Sequence, residues 1–260
     1  MLFWFEILED SEEIFWAHRI NYNKVLFFNI NSYFIKQKGF EMILVIFLCS
    51  ALATVPSFIQ PMFLPNEKER IELTREYLEI HRTTPLSKEE EIGLMVPRVI
   101  VVHWTANESV KGTYYTFANA YLKGRSHLQP HGHLNVGAHY IVARDGTIYQ
   151  ILPENRIARH CIGLNHLSIG IENVGGVNGE DLTIEQLNAN IQLIQYLVSK
   201  YPITHLIGHL EYQKMEQHPY FDERFPDYRT KKIDPGNRFM LELRSSEEIQ
   251  KLPINQPDMP

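Results

Sequence analysis

Residues 168–174 read SIGIENV and are followed by Gly175-Gly176; residues 183–200 read TIEQLNANIQLIQYLVSK; Tyr201-Pro202 then leads into THLIG at 204–208. The first run is short, apolar and closed by glycines, which predicts a buried strand carrying one acid, Glu172. Thr183 followed three residues later by Gln186 is a capping-box pattern. Ile184, Leu187, Ile191, Ile194, Leu197 and Val198 then recur at helical spacing. Pro202 cannot continue a helix, and Thr204 to Gly208 predicts a second strand. Strand, helix, strand in forty residues indicates a layered α/β domain.

Working outward, Arg98 to His103 is a valine-rich run behind Pro97 and predicts another buried strand. Ala138–Ala143 and Thr147–Leu152 flank Arg144-Asp145-Gly146, and Asp-Gly between two β-prone runs signals a hairpin. Ser109 is placed to cap a helix running to about Leu122, and Glu67 to about His81 predicts a surface helix. Residues 54–66 hold three prolines and read as a linker. Thr83–Glu91, Lys123–Asn135 and Glu211–Thr230 read as loops, the last with room for a short helix, and Phe239–Leu252 as a closing helix. The expected fold class is α/β, a mixed central β-sheet flanked by helices.

The chain has 260 residues and a net charge of −6, which gives no support to binding nucleic acid through phosphates. Met42 to Val55 reads MILVIFLCSALATV, too short for a comfortable membrane span, with Lys36 and Lys38 upstream and the small-x-small pattern Ala51-Leu52-Ala53 near its end. This predicts a secretory signal behind an over-extended start over residues 1–53, and a periplasmic or secreted protein. A membrane anchor through residues 42–55 is the alternative. Residues 54–96 then form a linker and N-terminal helix, 97–252 the catalytic domain and 253–260 a tail. Loss of Cys49 with the signal leaves Cys161 as a single buried thiol and no internal disulfide. The mature chain is expected to be a monomer without a stable membrane span.

Ten of the twelve histidines fall between positions 103 and 218, so they must be sorted. His103 ends an apolar strand and is followed by Trp104-Thr105, a rigid place from which to present a metal ligand. His205 and His209 share a strand face, but four residues of strand separate their Cα atoms by about 13 Å, too far to hold one ion. Gly208 lets the chain turn at His209, so His209 is the expected ligand and His205 a structural residue. Asp234 precedes the turn-forming Pro235-Gly236, and in an extended segment Lys232 faces the same way. Two imidazoles and a carboxylate are the ligands of a catalytic Zn2+ that leaves a position open for water. Beside such a centre Glu172 is suited to move a proton and Lys232 to stabilise negative charge on a carbonyl oxygen.

VVHWTA (101–106), GAHYIVARDGTIYQILPENRIARH (137–160), SIGIENVG (168–175), Gly208-His209 and KIDPG (232–236) together resemble the zinc-dependent N-acetylmuramoyl-L-alanine amidases of the type-2 amidase family, relatives of peptidoglycan recognition proteins. The resemblance runs from about Pro97 to Phe239. It implies a mixed sheet with a zinc site in a surface groove, His103, His209 and Asp234 as ligands, Glu172 as acid/base and Lys232 as transition-state stabiliser. The implied substrate is peptidoglycan or muropeptides, cut between N-acetylmuramic acid and L-alanine. A recognition protein that binds without cutting is the main alternative. His160 falls where relatives place a groove-side histidine and is expected to touch substrate, as are Trp104 and Tyr140. Where some relatives carry a tyrosine before the hairpin histidine this chain has Ala138, ahead of His139, so activity should depend on Glu172. Tyr212, Phe221, Phe225 and Tyr228 read as a packed surface layer, with a lid over the groove as the alternative.

Overall fold

A computed structural model describes residues 56–257. The expected export signal, its anchor alternative and Cys49 lie outside the described residues. In chain order the elements are β1 (Ile59–Pro61), α1 (Glu67–His81), α2 (Lys88–Glu91), β2 (Val99–Trp104), α3 (Val110–Ala118), β3 (Tyr140–Val142), β4 (Ile148–Gln150), β5 (Ser168–Asn173), α4 (Ile184–Lys200), β6 (His205–Gly208), α5 (Asn237–Ser245) and α6 (Glu247–Gln250). Two 3₁₀ turns, Ser126–His131 and His209–Met215, complete the set. The strands form one six-stranded sheet in the order β1-β4-β3-β5-β2-β6. Only β3 and β4, the predicted hairpin, pair antiparallel; the other pairs are parallel. The sheet is therefore mixed and helix-flanked, as expected.

The two faces of the sheet are built by alternation. Ile100, Val102, Ile169, Ile171 and Leu206 pack with Leu187, Leu193, Ile194 and Leu197 of α4 and with Phe239 and Leu243 of α5. Val99, Val101 and Ile207 point the other way, against Cys161, Leu164, Tyr212 and Met215. Val99 through Val102 are wholly buried, because central parallel strands are covered on both faces and read as continuous apolar runs. Tyr212 and Tyr228 are buried parts of this second layer, so they pack rather than close over a groove.

Helix α4 begins as its capping box predicts, with Gln186 N–H donating to Thr183 Oγ1 and Thr183 N–H to Gln186 Oε1, both at 3.1 Å. Gln186 does more: its Nε2 donates to the carbonyls of Val142 (3.1 Å) and Val174 (2.8 Å), tying the helix start to the ends of β3 and β5.

Several expectations are corrected. Residues 59–61, expected in a linker, form an edge strand parallel to β4; an edge position tolerates Pro61, which has no N–H to give the ladder. Within the expected loop 83–91, Ser87 and Glu90 form a reciprocal capping box that starts α2. Helix α3 stops at Ala118 rather than Leu122, because Asn119 is extended and the last carbonyls are taken by side chains. Arg70 Nη2 donates to Ala118 O at 2.8 Å, and Asn135 Nδ2 to Thr116 O at 2.9 Å and Asn119 O at 3.0 Å. The closing helix is two helices, broken at Ser246, which is extended and donates its hydroxyl to Leu243 O at 2.9 Å.

The stretch between His209 and Asp234 is fastened to the end of α1. His81 Nδ1 bonds Glu223 Oε2 at 2.8 Å, Arg82 Nε donates to Asp222 Oδ2 at 2.7 Å, and Thr83 N–H donates to Asp222 Oδ1 at 2.8 Å. Both side chains of the His81–Glu223 pair are almost fully buried. Among the described residues no helix is long and apolar enough to cross a membrane.

Candidate metal centre

Strand register brings the first two functional side chains together. His103 in β2 and Glu172 in β5 are Cα partners in a parallel pair, so their side chains stand side by side on one face. Strand β6 pairs with the other edge of β2, with Gly208 opposite Val102, so His209 leaves the sheet next to His103. Gly208 is required by close approach: a Cβ there would lie 2.9 Å from Met240 Cγ and 3.0 Å from Pro235 Cδ. Glu211 accepts Gly208 N–H at 2.8 Å and is gripped in turn by both terminal nitrogens of Arg244, which fixes the turn that carries His209. Leu210 N–H donates to Asp234 O at 2.8 Å and docks the Asp234 loop onto that turn.

The result is a triangle of donor atoms. His103 Nδ1 lies 2.9 Å from His209 Nδ1 and 3.1 Å from Asp234 Oδ2, and His209 Nδ1 lies 3.0 Å from the same Oδ2. Three acceptor-capable atoms this close repel unless a proton or cation sits among them. Ligands of a tetrahedral Zn2+ at about 2.0–2.1 Å are separated by roughly 3.3 Å, so little movement would seat the ion. Both imidazoles are nearly buried. Burial, and then the neighbouring His103, push His209 down to about 4, so at neutral pH it is a neutral ligand. Burial alone would raise the Asp234 carboxyl; the close imidazoles outweigh it and hold the group well below the usual carboxylate range.

A hydrogen-bond chain sets the tautomer of His103. His160 Nε2 lies 3.2 Å from the Ser168 carbonyl, which can only accept, and 3.3 Å from Ser168 Oγ, which can give or take; a proton on Nε2 serves both and leaves His160 Nδ1 with its lone pair. That lone pair accepts from His103 Nε2–H at 3.0 Å. The Nδ1 of His103 is then the bare nitrogen, facing the triangle. His160 lies flat over β5 because residue 170 is glycine: a Cβ there would be 2.9 Å from His160 Nδ1.

Glu172 faces the same space. Its Oε2 is shut off from solvent and has no hydrogen-bond partner, an uncommon state for a carboxylate oxygen. Burial first, with the Asp234 charge adding to it, raises Glu172 to about 7, against the pull of His103, Arg125 and Lys232. A carboxyl poised near neutrality can take a proton and return it. The half-buried Lys232 also lies close enough to influence His209.

The N-acetylmuramoyl-L-alanine amidase family matches residues 93–237, a span that includes the triangle, Glu172 and Lys232. This chain belongs to that family. It is similar to the endolysins of Escherichia phage T7 (35% identity over 85 residues, 31% of this chain and 56% of the phage protein) and Enterobacteria phage T3 (35% over 83 residues, 30% and 55%). The chain thus spans about half the length of the curated relatives it matches. Among solved structures it is similar to the N-acetylmuramoyl-L-alanine amidase LysC from Clostridium intestinale URNW, at 26% identity, covering 72% of this chain and 94% of that one with a TM-score of 0.42.

Two expected substrate contacts of this amidase-family chain are turned to the other face of the sheet. Tyr140 is wholly buried on the α4 face and donates its hydroxyl to Glu154 Oε1 at 2.7 Å. Trp104 alternates with His103 and so packs toward the α4 side, its ring stacked over Gly176. His160 lies beside the triangle and is partly exposed, with its ring nitrogens bonded to His103 and Ser168, so it is placed to orient His103. As expected, His205 stays apart; it sits at the far end of β6 against His218 and Tyr220.

Sequence reading missed Asn173, whose Nδ2 donates to His103 O at 3.0 Å while its Oδ1 accepts from Asn190 Nδ2 at 2.7 Å. The signal was available: Asn190 lies three after Leu187 and four before Ile194, on the apolar face of α4. Also missed was Arg125, an exposed cation near enough to lower Glu172.

Proposed function

We propose that this chain hydrolyses the amide between the lactyl group of N-acetylmuramic acid and L-alanine in peptidoglycan or its fragments, with Zn2+ held by His103, His209 and Asp234. The observation that carries the reading is the triangle of donor atoms facing an unpartnered, near-neutral carboxyl. The donor set fits zinc: two nearly buried imidazole nitrogens and one partly buried carboxylate. When bound, zinc supplies a Lewis acid at the scissile carbonyl and acidifies a water.

The chain's own groups do the rest. Glu172 accepts a proton from the attacking water as its oxygen bonds to the carbonyl carbon. The Lys232 ammonium stabilises the negative charge that gathers on the carbonyl oxygen. Glu172 then hands its proton to the alanine nitrogen as the C–N bond breaks, which regenerates the carboxylate. His160 and Asn173 hold His103 by its ring and its carbonyl, so the ligand does not swing during the cycle. The apolar stretch 42–55 with its small-residue end supports export to the compartment where wall material lies.

Digestion of purified sacculi with mass spectrometry of the products tests the reading. Free stem peptides beginning with L-alanine, and none from Glu172→Ala, are expected. Zinc-loaded protein that binds sacculi and leaves every glycan–peptide bond whole would replace the hydrolase by a recognition protein.

A further inference from the structure

Helix α5 starts three residues after Asp234 and has no cap of its own. Gly236, at its start, has no side chain to offer, and its first turn holds no acid. The leading N–H groups of a helix find no partner within it. Here they are met from 57 residues upstream. Glu180 Oε1 accepts Asn237 N–H at 2.9 Å, and Glu180 Oε2 accepts Arg238 N–H at 3.0 Å. A carboxylate at that end also faces the positive pole of the helix. Arg238 returns the contact, donating from Nη2 to the carbonyls of Glu180 (2.8 Å) and Leu182 (3.4 Å).

Gly236 is shaped to this grip. Its φ of +90° suits glycine, and a Cβ there would lie 2.6 Å from Glu180 Cγ and 2.7 Å from Glu180 Cδ. A side chain at 236 would drive Glu180 out. Gly236 N–H donates to Ile233 O at 3.0 Å and closes a tight turn around Asp234. The other side of that turn is docked by Leu210 N–H on Asp234 O. The ligand carboxylate is thus held between two fixtures, the turn after β6 and Glu180. Glu180 stands on the segment that leaves β5, the strand that carries Glu172. Gly176 N–H donates to Asp181 Oδ1 at 2.6 Å and folds that segment back on itself. One short run of chain therefore links the acid/base group to the carboxylate ligand.

We infer that Glu180 is a positioning residue: its carboxylate moors the start of α5 and through it aims Asp234 at the metal triangle. This rests on the reading of His103, His209 and Asp234 as zinc ligands.

Zinc affinity of the full chain by chelator competition, and visible absorption of the cobalt(II)-substituted protein, test it. Glu180 is exposed, so its variants should fold. Glu180→Ala is expected to weaken zinc about tenfold and to alter the cobalt spectrum, because Asp234 is less well aimed. Glu180→Gln keeps one acceptor oxygen and should recover part of that affinity. A helix cap with no bearing on Asp234 would lower the metal-free Tm and leave both metal readouts as in wild type. That result, or a loss of affinity that Glu180→Gln does not lessen, would overturn the inference. A wild-type chain that takes up no zinc would overturn the ligand assignment as well, which is a separate result.

Discussion

At Glu172, burial and the Asp234 carboxylate set the pKa near 7, and only the ionised form can accept a proton from water. The pH profile of kcat/KM should therefore rise with pH and level off. Its midpoint should lie at or below about 7, because a bound dication draws the carboxyl downward. Glu172→Gln should keep zinc, lose about 10²–10⁴-fold in rate and flatten that limb, as steady-state kinetics and metal analysis would show. Equal turnover in the variant would remove Glu172 from the reaction. At His160, removing the acceptor for His103 Nε2–H frees the ligand to rotate and to change tautomer. His160→Phe should weaken zinc about 10–100-fold in chelator competition, whereas His160→Asn, which keeps an oxygen where Nδ1 stood, should stay near wild type. His139 tests a different balance. It is wholly buried, donates from Nε2 to Arg156 O and accepts Gly170 N–H at Nδ1, and burial holds it near 4. Its folded pKa lies below the unfolded value, so its contribution is full above about 6.5 and is lost as pH falls toward 4, on the order of 3 kcal/mol. Urea denaturation at pH 7 and 4.5 should show that loss, reduced in His139→Asn.

Among the elements, α4 has both its start and its buried stripe written in the chain. Thr183→Ala should cost about 1 kcal/mol by removing the cap, and Leu193→Ala, at a wholly buried position, about 2–5 kcal/mol, both by denaturant melts. The predicted strands and hairpin form because valine and isoleucine runs bounded by glycine and proline have few other places to go. The triangle was legible for a related reason: His103, His209 and Asp234 each sit where a rigid run meets a turn residue. What stayed hidden were contacts that depend on neighbours distant in sequence. Trp104 and Tyr140 are strand residues that each follow a histidine, so alternation already opposed each to that histidine; which face carries the site waited on the register. The role of His160 depends on a carbonyl eight residues later reached across a fold of the chain, and β1 depends on an edge left open by β4.

For the molecule as a whole, zinc should act as a stabiliser, since the triangle exists only when β2, the turn after β6 and the 232–236 loop are all in place. Calorimetric melting with and without a chelator should show Tm falling on metal removal and recovering when zinc is returned, with the size of the shift following free zinc concentration. A Tm indifferent to zinc would argue that no ion binds the folded state.

The clasp between His81, Arg82 and Thr83 and the Asp222–Glu223 pair bears on how this chain can be cut and recombined. Asp234 and Lys232 ride on a length of chain whose far anchor is a helix that ends at His81, ahead of the family's shared region, which starts at residue 93. An engineer who trims to that shared region, or grafts it behind a foreign module, discards the mooring while keeping every reactive group. A working transplant has to bring the upstream helix along as ballast, and the natural seam for swapping parts lies ahead of Ile59.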